Sequence, residues 1–284
     1  MALSPQQIEQ FRTQGFLKVE GFYSAREVEA MRREIERFKR VGLLRNVATE
    51  GDGKTKSSTA ANLQLCPMYQ HSTLFRALPF DDKVVDAVSK LIGEPIILRL
   101  EQVFLKPGRH GAGTSWHQDN AYFSAADPMG GTAMWISIHD ANRANGTMEV
   151  IPGVFRQTFE HSRDPMSNHH IRMFPSQELE GTAVPIEMKA GGVVFFCYGT
   201  PHCTRGNTTD RERAGVAYHF IQESAAATMP NPSQFSSPNR TYYPDLNGPN
   251  TTGGERQYGV KVAGTWRKEV EQALQQEELA ASQA

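Results

Sequence analysis

The stretch Ser115-Trp116-His117-Gln118-Asp119-Asn120 decides how the chain is read. In an extended segment residues two apart project from one face, so His117 and Asp119 reach toward one point without bending the backbone. An imidazole and a carboxylate placed in this way are a pair of metal ligands on a strand, and a strand needs neighbours. The plain alternative, in a chain with nine histidines, is a surface ion pair.

Outward from this pair, runs rich in β-branched and aromatic residues predict strands over 96–106, 115–120, 132–141, 148–151, 183–189, 193–197, 203–207 and 213–221. Gly- and Pro-containing turns separate them. About eight short strands at this spacing indicate a mainly β fold with flanking helices, a jelly roll of two sheets. Such a roll holds a small dry cavity lined by side chains from rigid strands.

The residues before the first strand carry helical signals. Ser4-Pro5 caps a short helix that buries Ile8 and Phe11 and ends at Gly15. Ser24 and Glu27 form a capping box ahead of an apolar stripe of Val28, Met31, Ile35 and Phe38. A third helix over 80–92 buries Val84, Val85, Val88, Leu91 and Ile92 before Gly93 and Pro95 close it. Residues 45–61, rich in Gly, Lys, Ser and Thr, read as a mobile loop. Residues 155–182 contain His161, His169 and His170 but little strand pattern, and read as a long insertion of the kind that forms lids. Residues 265–279 form an amphipathic helix with Trp266, Val270, Ala273 and Leu274 on one side, suited to packing on the roll or on a second subunit. The expected organisation is one domain over 1–284, with a helical part at about 4–93, a β-roll core at about 96–222 and a C-terminal loop and helix at about 223–284.

A chain of 284 residues suits this, because rolls and barrels run to roughly 200–250 residues as one unit. A net charge of −1 supplies no basic field for nucleic acid or for an anionic membrane. No apolar run approaches the ~18 residues of a membrane helix, and the first residues lack the features of a signal peptide, so a cytoplasmic location is expected. The cysteines, Cys66, Cys197 and Cys203, are odd in number and form no Cys-x-x-Cys pair, which argues against a disulfide framework or zinc knuckle. Strand alternation packs Cys197 in the core and turns Cys203 away from its neighbour His202. Sequons at Asn145, Asn207, Asn239 and Asn250 read as chance matches. The expected partner is a small-molecule substrate, bound by a monomer or homodimer.

Two histidines and a carboxylate on one face of an octahedron form the facial triad of non-haem Fe(II) oxygenases, so a third ligand is sought elsewhere. Pro201-His202 offers one, and Arg213 follows eleven residues beyond His202, at the start of a predicted strand. A fixed cation there invites a dicarboxylate. His110, His139 and His219 are rival third ligands; His219 is the strongest, lying an even number of residues from Arg213 on the same strand. Gln102, on the strand preceding the motif, is placed by alternation to donate a hydrogen bond into the cavity. Asn120, Tyr122 and Phe123 follow the metal pair and are candidates for the substrate side. Asn145 with Gly146 shapes a turn.

His117-x-Asp119, distal His202, Arg213 eleven residues beyond it, Trp116 before the first ligand and Asn145-Gly146 leading to Pro152-Gly153 together resemble the phytanoyl-CoA dioxygenase family. The resemblance runs from about Ser4 to Gln222 and selects His202 by its spacing. It implies a double-stranded β-helix of cupin type, and a non-haem iron dioxygenase using Fe(II), 2-oxoglutarate and O2, with His117, Asp119 and His202 on the metal. Arg213 is then the clamp for the remote carboxylate, with Thr204, two residues after His202, and Trp135, eighteen after His117, at matching co-substrate positions. The implied reaction is hydroxylation of an unactivated C–H bond with release of succinate and CO2. Because Asp119 occupies the position that related halogenases leave to a small residue, oxygen transfer is expected over halogen transfer. Desaturation, cyclisation or epimerisation would use the same ligands, and a non-catalytic jelly-roll binding protein is the alternative from another class. Nothing in the residues specifies an acyl-CoA.

Overall fold

The computed structural model describes residues 2–229, 260–262 and 264–283. Within the segment expected at 223–284, residues 230–259 lie outside the described residues, and so do the sequons at Asn239 and Asn250.

Helix α1 (Pro5–Gln14) is held by a reciprocal cap in which Gln7 N donates to Ser4 Oγ at 3.3 Å and Ser4 N to Gln7 Oε1 at 2.8 Å. It leads directly into β1 (Phe16–Val19). That strand went unread because its partner residues, such as Phe196 opposite Phe16, are distant in sequence. Helix α2 (Ala25–Arg40) opens on the expected Ser24–Glu27 box and buries Val28, Met31, Ile35 and Phe38. Next come the short strands β2 (Arg45–Asn46) and β3 (Leu63–Leu65), helix α3 (Thr73–Ala77), and α4 (Asp82–Ile92), whose start is fixed by Asp81 as cap.

The β core follows: β4 (Ile96–Lys106), β5 (Thr114–His117), the helical turn α5 (Asn120–Phe123), β6 (Gly131–Ser137), β7 (Met148–Val150) and a hairpin of β8 (Ser162–Arg163) and β9 (Ile171–Arg172). After α6 (Gln177–Glu180) come β10 (Val184–Pro185), β11 (Val193–Cys197), β12 (His202–Thr204), β13 (Arg213–Gln222), α7 (Glu223–Ala226), β14 (Val260–Lys261) and α8 (Arg267–Ser282). Most are shorter than their predicted runs, because turns and bridges occupy the ends.

Two sheets form the roll. The larger runs β1-β11-β6-β13-β4-β3-β2, with β14 also on β4; the smaller runs β10-β7-β12-β5. Pairing within both is antiparallel among these strands. This is the double-sheet jelly roll with flanking helices. Alternation divides the large sheet: Met134, Ile136, Val193, Phe195, Val216, Tyr218 and Phe220 pack against the helices, whereas Ala133, Trp135, Val194, Phe196 and Ala217 meet Met148, Val150 and Ile186 between the sheets. Helix α8 packs on α2 and α3 rather than on the roll, burying Val270, Ala273 and Leu274, and Trp266 stacks on Phe80 at 4.1 Å.

Residues 45–61 do not form a free loop. Val47, Ala48 and Thr49 are buried, and Asn46 Nδ2 donates to Ala60 O at 2.9 Å. The segment is also tied to the expected lid: Thr49 N donates to Met166 O at 3.0 Å, Asn168 N to Val47 O at 3.0 Å and Gly53 N to Pro165 O at 2.7 Å. Two stretches lacking any shared periodicity therefore form one cover, joined by backbone hydrogen bonds that sequence patterns do not encode.

Candidate active site

The motif strand ends sooner than its spacing suggests. β5 stops at His117, and Asp119 is helical (φ −59°, ψ −30°) at the head of α5. The expectation of an extended strand over 115–120 is therefore corrected: Asp119 reaches its neighbour because the chain turns, not because two residues share a strand face. The turn is anchored where Asn120 N donates to Tyr198 O at 2.8 Å. His202 is the register partner of His117 across β12 and β5, which sets the two rings 4.1 Å apart.

His117, Asp119 and His202 come together with one ligand atom from each within 4.8 Å of the others, all three residues buried. Asp119 Oδ1 lies 3.7 Å from His117 Nε2 and 3.8 Å from His202 Nε2. Each Nδ1 faces a backbone carbonyl, Ser115 O at 2.9 Å and Thr200 O at 3.0 Å. A carbonyl only accepts, so the proton sits on Nδ1 and each Nε2 presents a lone pair to the common point. Burial lowers His117 to about 3, with His202 adding, and lowers His202 to about 4. Both rings are thus neutral near pH 7, the state that binds a metal. Asp119 Oδ2 is buried without a hydrogen-bond partner among the described residues. A divalent cation would satisfy this donor set, and three protein ligands leave positions open, so the residues fit iron.

Between the two sheets, at the start of β13, the charge reverses. Arg213, 1% exposed, donates through Nη2 to Gly146 O, and its guanidinium lies 5.4 Å from the Trp135 ring. Gly146 has φ +75°, and a Cβ there would meet Arg205 O at 2.3 Å, which is why the turn shaped by Asn145 continues with glycine. Gly215 is equally constrained, since a Cβ would fall 2.3 Å from the Trp135 indole. Trp135, Ala217 and Gln102 are aligned across β6, β13 and β4 and face inward together. Gln102 Oε1 accepts from Gln64 Nε2 at 2.9 Å, which turns its own NH2 group to other acceptors. Thr204 shares the inward face of β12 with His202, while Cys203 packs outward with Trp116, Ile151 and Met173.

The sequence pattern of the phytanoyl-CoA dioxygenase (PhyH) family matches residues 11–215. The chain belongs to the phytanoyl-CoA dioxygenase family. Among its relatives, the ectoine dioxygenase of Bordetella parapertussis is 25% identical over 251 residues, covering 82% of this chain and 79% of that protein. Phytanoyl-CoA dioxygenase domain-containing protein 1 of Mus musculus is 26% identical over 289 residues, covering 83% and 95%. The crystal structure of the non-haem α-ketoglutarate-dependent carbocyclase SnoK from nogalamycin biosynthesis superposes with a TM-score of 0.64 at 19% identity, covering 78% of this chain and 85% of that one. The family member described here is accordingly an enzyme, a non-haem iron and 2-oxoglutarate-dependent dioxygenase.

On the other side of the metal point, this PhyH-family site departs from the residues expected to meet substrate. Asn120 spends its amide on Ala125, accepting from its N at 2.9 Å and donating to its O at 3.0 Å. Tyr122 pairs through its hydroxyl with His170 Nδ1 and accepts from Ile171 N at 3.0 Å. Phe123 is buried against Tyr198, His219 and Arg99, with ring separations of 4.5 Å and 5.7 Å to the first two. Of the rival ligands, His219 lies with Nδ1 3.5 Å from Asp119 Oδ2 but outside the three-residue cluster; His139 accepts from Ala214 N at 3.1 Å, and His110 is exposed.

Sequence reading missed three participants. His170, from the insertion, packs on His117 with ring centroids 4.2 Å apart; no spacing rule links residues so far apart. Arg99 sits in a bulge, where the register jumps from Leu100↔His219 to Leu98↔Phe220. Lys106 is 1% exposed and pairs in register with Arg213. A readable signal existed for this last one, since Lys106 shares the strand parity of Gln102.

Proposed function

We propose that this enzyme hydroxylates an unactivated C–H bond of a small molecule, consuming 2-oxoglutarate and O2 and releasing succinate and CO2. The observation that carries the reading is the buried His117–Asp119–His202 cluster, whose two Nε2 lone pairs and Asp119 Oδ1 converge on one point. Bound there, Fe(II) supplies the oxygen chemistry. The chain's own part is positional. Arg213 and Thr204 hold the remote carboxylate of the 2-oxoacid, Trp135 walls that end, and Gln102 donates into the same cavity. His170, Tyr122 and Phe123 close the opposite side and keep water out. A single domain over 1–284, acting as a monomer or homodimer, belongs to this proposal, as does a cytoplasmic location, supported by the free thiols of Cys197 and Cys203. The net charge of −1 favours a small substrate over nucleic acid. Among the described residues, no helix is long and apolar enough to cross a membrane.

Anaerobic addition of Fe(II) and 2-oxoglutarate should give a weak visible charge-transfer band. Aerobic incubation with a metabolite extract should then give succinate with products heavier by one oxygen atom. A wild-type protein that gives neither band nor succinate is not this enzyme. Succinate with a product lacking the added oxygen would redirect the outcome to desaturation, cyclisation or epimerisation.

A further inference from the structure

Three histidines surround Asp119, and only two of them have a role in the site described above. His117 and His202 turn Nδ1 to backbone carbonyls and Nε2 to the metal point, with Asp119 Oδ1 at 3.7 Å and 3.8 Å. His219 is oriented the other way round. Its Nδ1 lies 3.5 Å from Asp119 Oδ2, the other oxygen of the same carboxylate. Both atoms are buried, and neither has a hydrogen-bond partner among the described residues. Buried polar atoms are rarely left in that state, and these two are complementary. A carboxylate oxygen only accepts, so the proton facing it belongs on Nδ1. Their separation exceeds an ordinary N–H···O length of about 3.0 Å by an amount that a slight turn of the carboxylate about its Cβ–Cγ bond removes.

The two partners differ in how firmly they are held. His219 is paired on both sides within the large sheet, opposite Leu100 of β4 and Ala133 of β6. Its ring meets Phe123 edge-on with centroids 5.7 Å apart and lies 6.2 Å from the Tyr198 ring. Asp119, by contrast, stands past the end of β5 at the head of the four-residue turn α5, outside any strand. The two ligand histidines are each oriented by a carbonyl on the far ring nitrogen, whereas the carboxylate has no such support except His219. The same contact explains why so close a histidine is not itself a ligand, since a ring nitrogen that carries a proton has no lone pair for a metal.

We propose that His219 is the positioning residue for the metal-binding carboxylate, its Nδ1–H holding Oδ2 so that Oδ1 is the oxygen presented beside the two Nε2 atoms. The proposal rests on the metal-site reading and adds to it the group that orients its one anionic ligand. Outer partners of this kind fix the direction of a ligand, and losing one typically costs about 10- to 100-fold in metal affinity or activity.

The test uses the full chain loaded with Co(II), which substitutes for Fe(II) and has visible bands sensitive to its ligands. The Co(II) dissociation constant is measured by chelator competition and the visible spectrum recorded, together with the melting temperature of the metal-free protein. His219→Phe keeps a ring beside Phe123 and Tyr198 but removes the donor. It should weaken Co(II) binding about 10- to 100-fold and alter the bands, while the metal-free protein melts no lower. His219→Leu removes the donor with a different shape, guards against a folding failure of the first variant, and should show the same loss. His219→Asn carries its amide nitrogen where Nδ1 stands and should stay near the wild-type affinity and spectrum. Nitrogen NMR of the Zn(II)-loaded wild type should show the imidazole missing from the Phe variant to be protonated on Nδ1. Unchanged affinity and bands in both donorless variants overturn the inference alone, as does a proton found only on Nε2. An equal loss in His219→Asn also overturns it, because the imidazole itself would then be a ligand. Donorless variants that fail to fold, or whose loss tracks a lower metal-free melting temperature, mark a structural histidine and overturn it as well. Failure of wild type to bind Co(II) overturns the metal-site reading and the inference with it.

Discussion

The two faces of the large sheet are nearly equally buried and do opposite work. Along β13, Ala214, Val216, Tyr218 and Phe220 face the helices, whereas Arg213, Gly215, Ala217 and His219 face the second sheet; all eight are buried. The outward side chains of β13 are apolar apart from the Tyr218 hydroxyl, which donates to Phe75 O at 2.9 Å. The inner face buries cations and imidazoles, with Arg213 Nε and His219 Nδ1 lacking hydrogen-bond partners among the described residues. Burial therefore does not separate core from site in this molecule. Along β13 unsatisfied polar chemistry does, because a buried group left without a partner is costly and persists where a ligand completes it.

The contrast breaks most sharply at the metal point. His117→Ala and Asp119→Ala should each reduce succinate formation to background and abolish the visible band, while far-UV circular dichroism stays that of the wild type. Persistent turnover in either variant would remove the residue from the metal. A large effect of the other kind is expected from Phe195→Ala on the outer face. Phe195 is fully buried and meets Phe22 edge-on at 5.8 Å, so its truncation should cost about 3–5 kcal/mol in urea denaturation. Turnover per folded molecule should be unchanged; a parallel fall in kcat would show that the two faces are coupled. The inner-face counterpart, Arg213→Ala, should weaken 2-oxoglutarate binding by about 1.5–3 kcal/mol without a comparable change for iron. An unchanged 2-oxoglutarate requirement would move the clamp to another residue, Arg205 and Arg211 being the nearest in sequence.

The same division explains what was legible in the sequence. Helices α1, α2 and α4 and the long strands announced themselves through caps and alternation, which are local properties of residues such as Ser24, Glu27 and Val216. His117, Asp119, His202 and Arg213 were legible through residue type and spacing, although the strand geometry first assigned to Asp119 was incorrect. β1 was hidden because four residues carry little periodicity and their partners lie across the fold. The joint cover of residues 47–53 and 165–168 was hidden for a related reason: apart from the Thr49 hydroxyl on Pro165 O, the bonds joining them are between backbones, so little side-chain pattern marks them. Lys106 was visible in parity but overlooked because a lysine at a strand end ordinarily reads as a solvated edge.

A smaller effect tests the boundary between the faces. His139 follows β6 and accepts the Ala214 N–H through Nδ1, a bond that only the neutral ring can make. Burial, with Arg32 adding, lowers its pKa from 6.5 to about 4. The unfolded chain therefore takes up the proton first as pH falls. Its contribution to stability is full above about pH 6.5 and is lost progressively as pH drops through about 4. Urea midpoints should accordingly fall between pH 7 and pH 5, and His139→Gln, which cannot charge, should lose less over the same interval. His117 and His202 push in the same direction, so the difference between variant and wild type, rather than the fall itself, is the quantity that isolates His139. Identical falls in the two proteins would assign the acid sensitivity to the inner-face histidines and leave the outer face indifferent to pH.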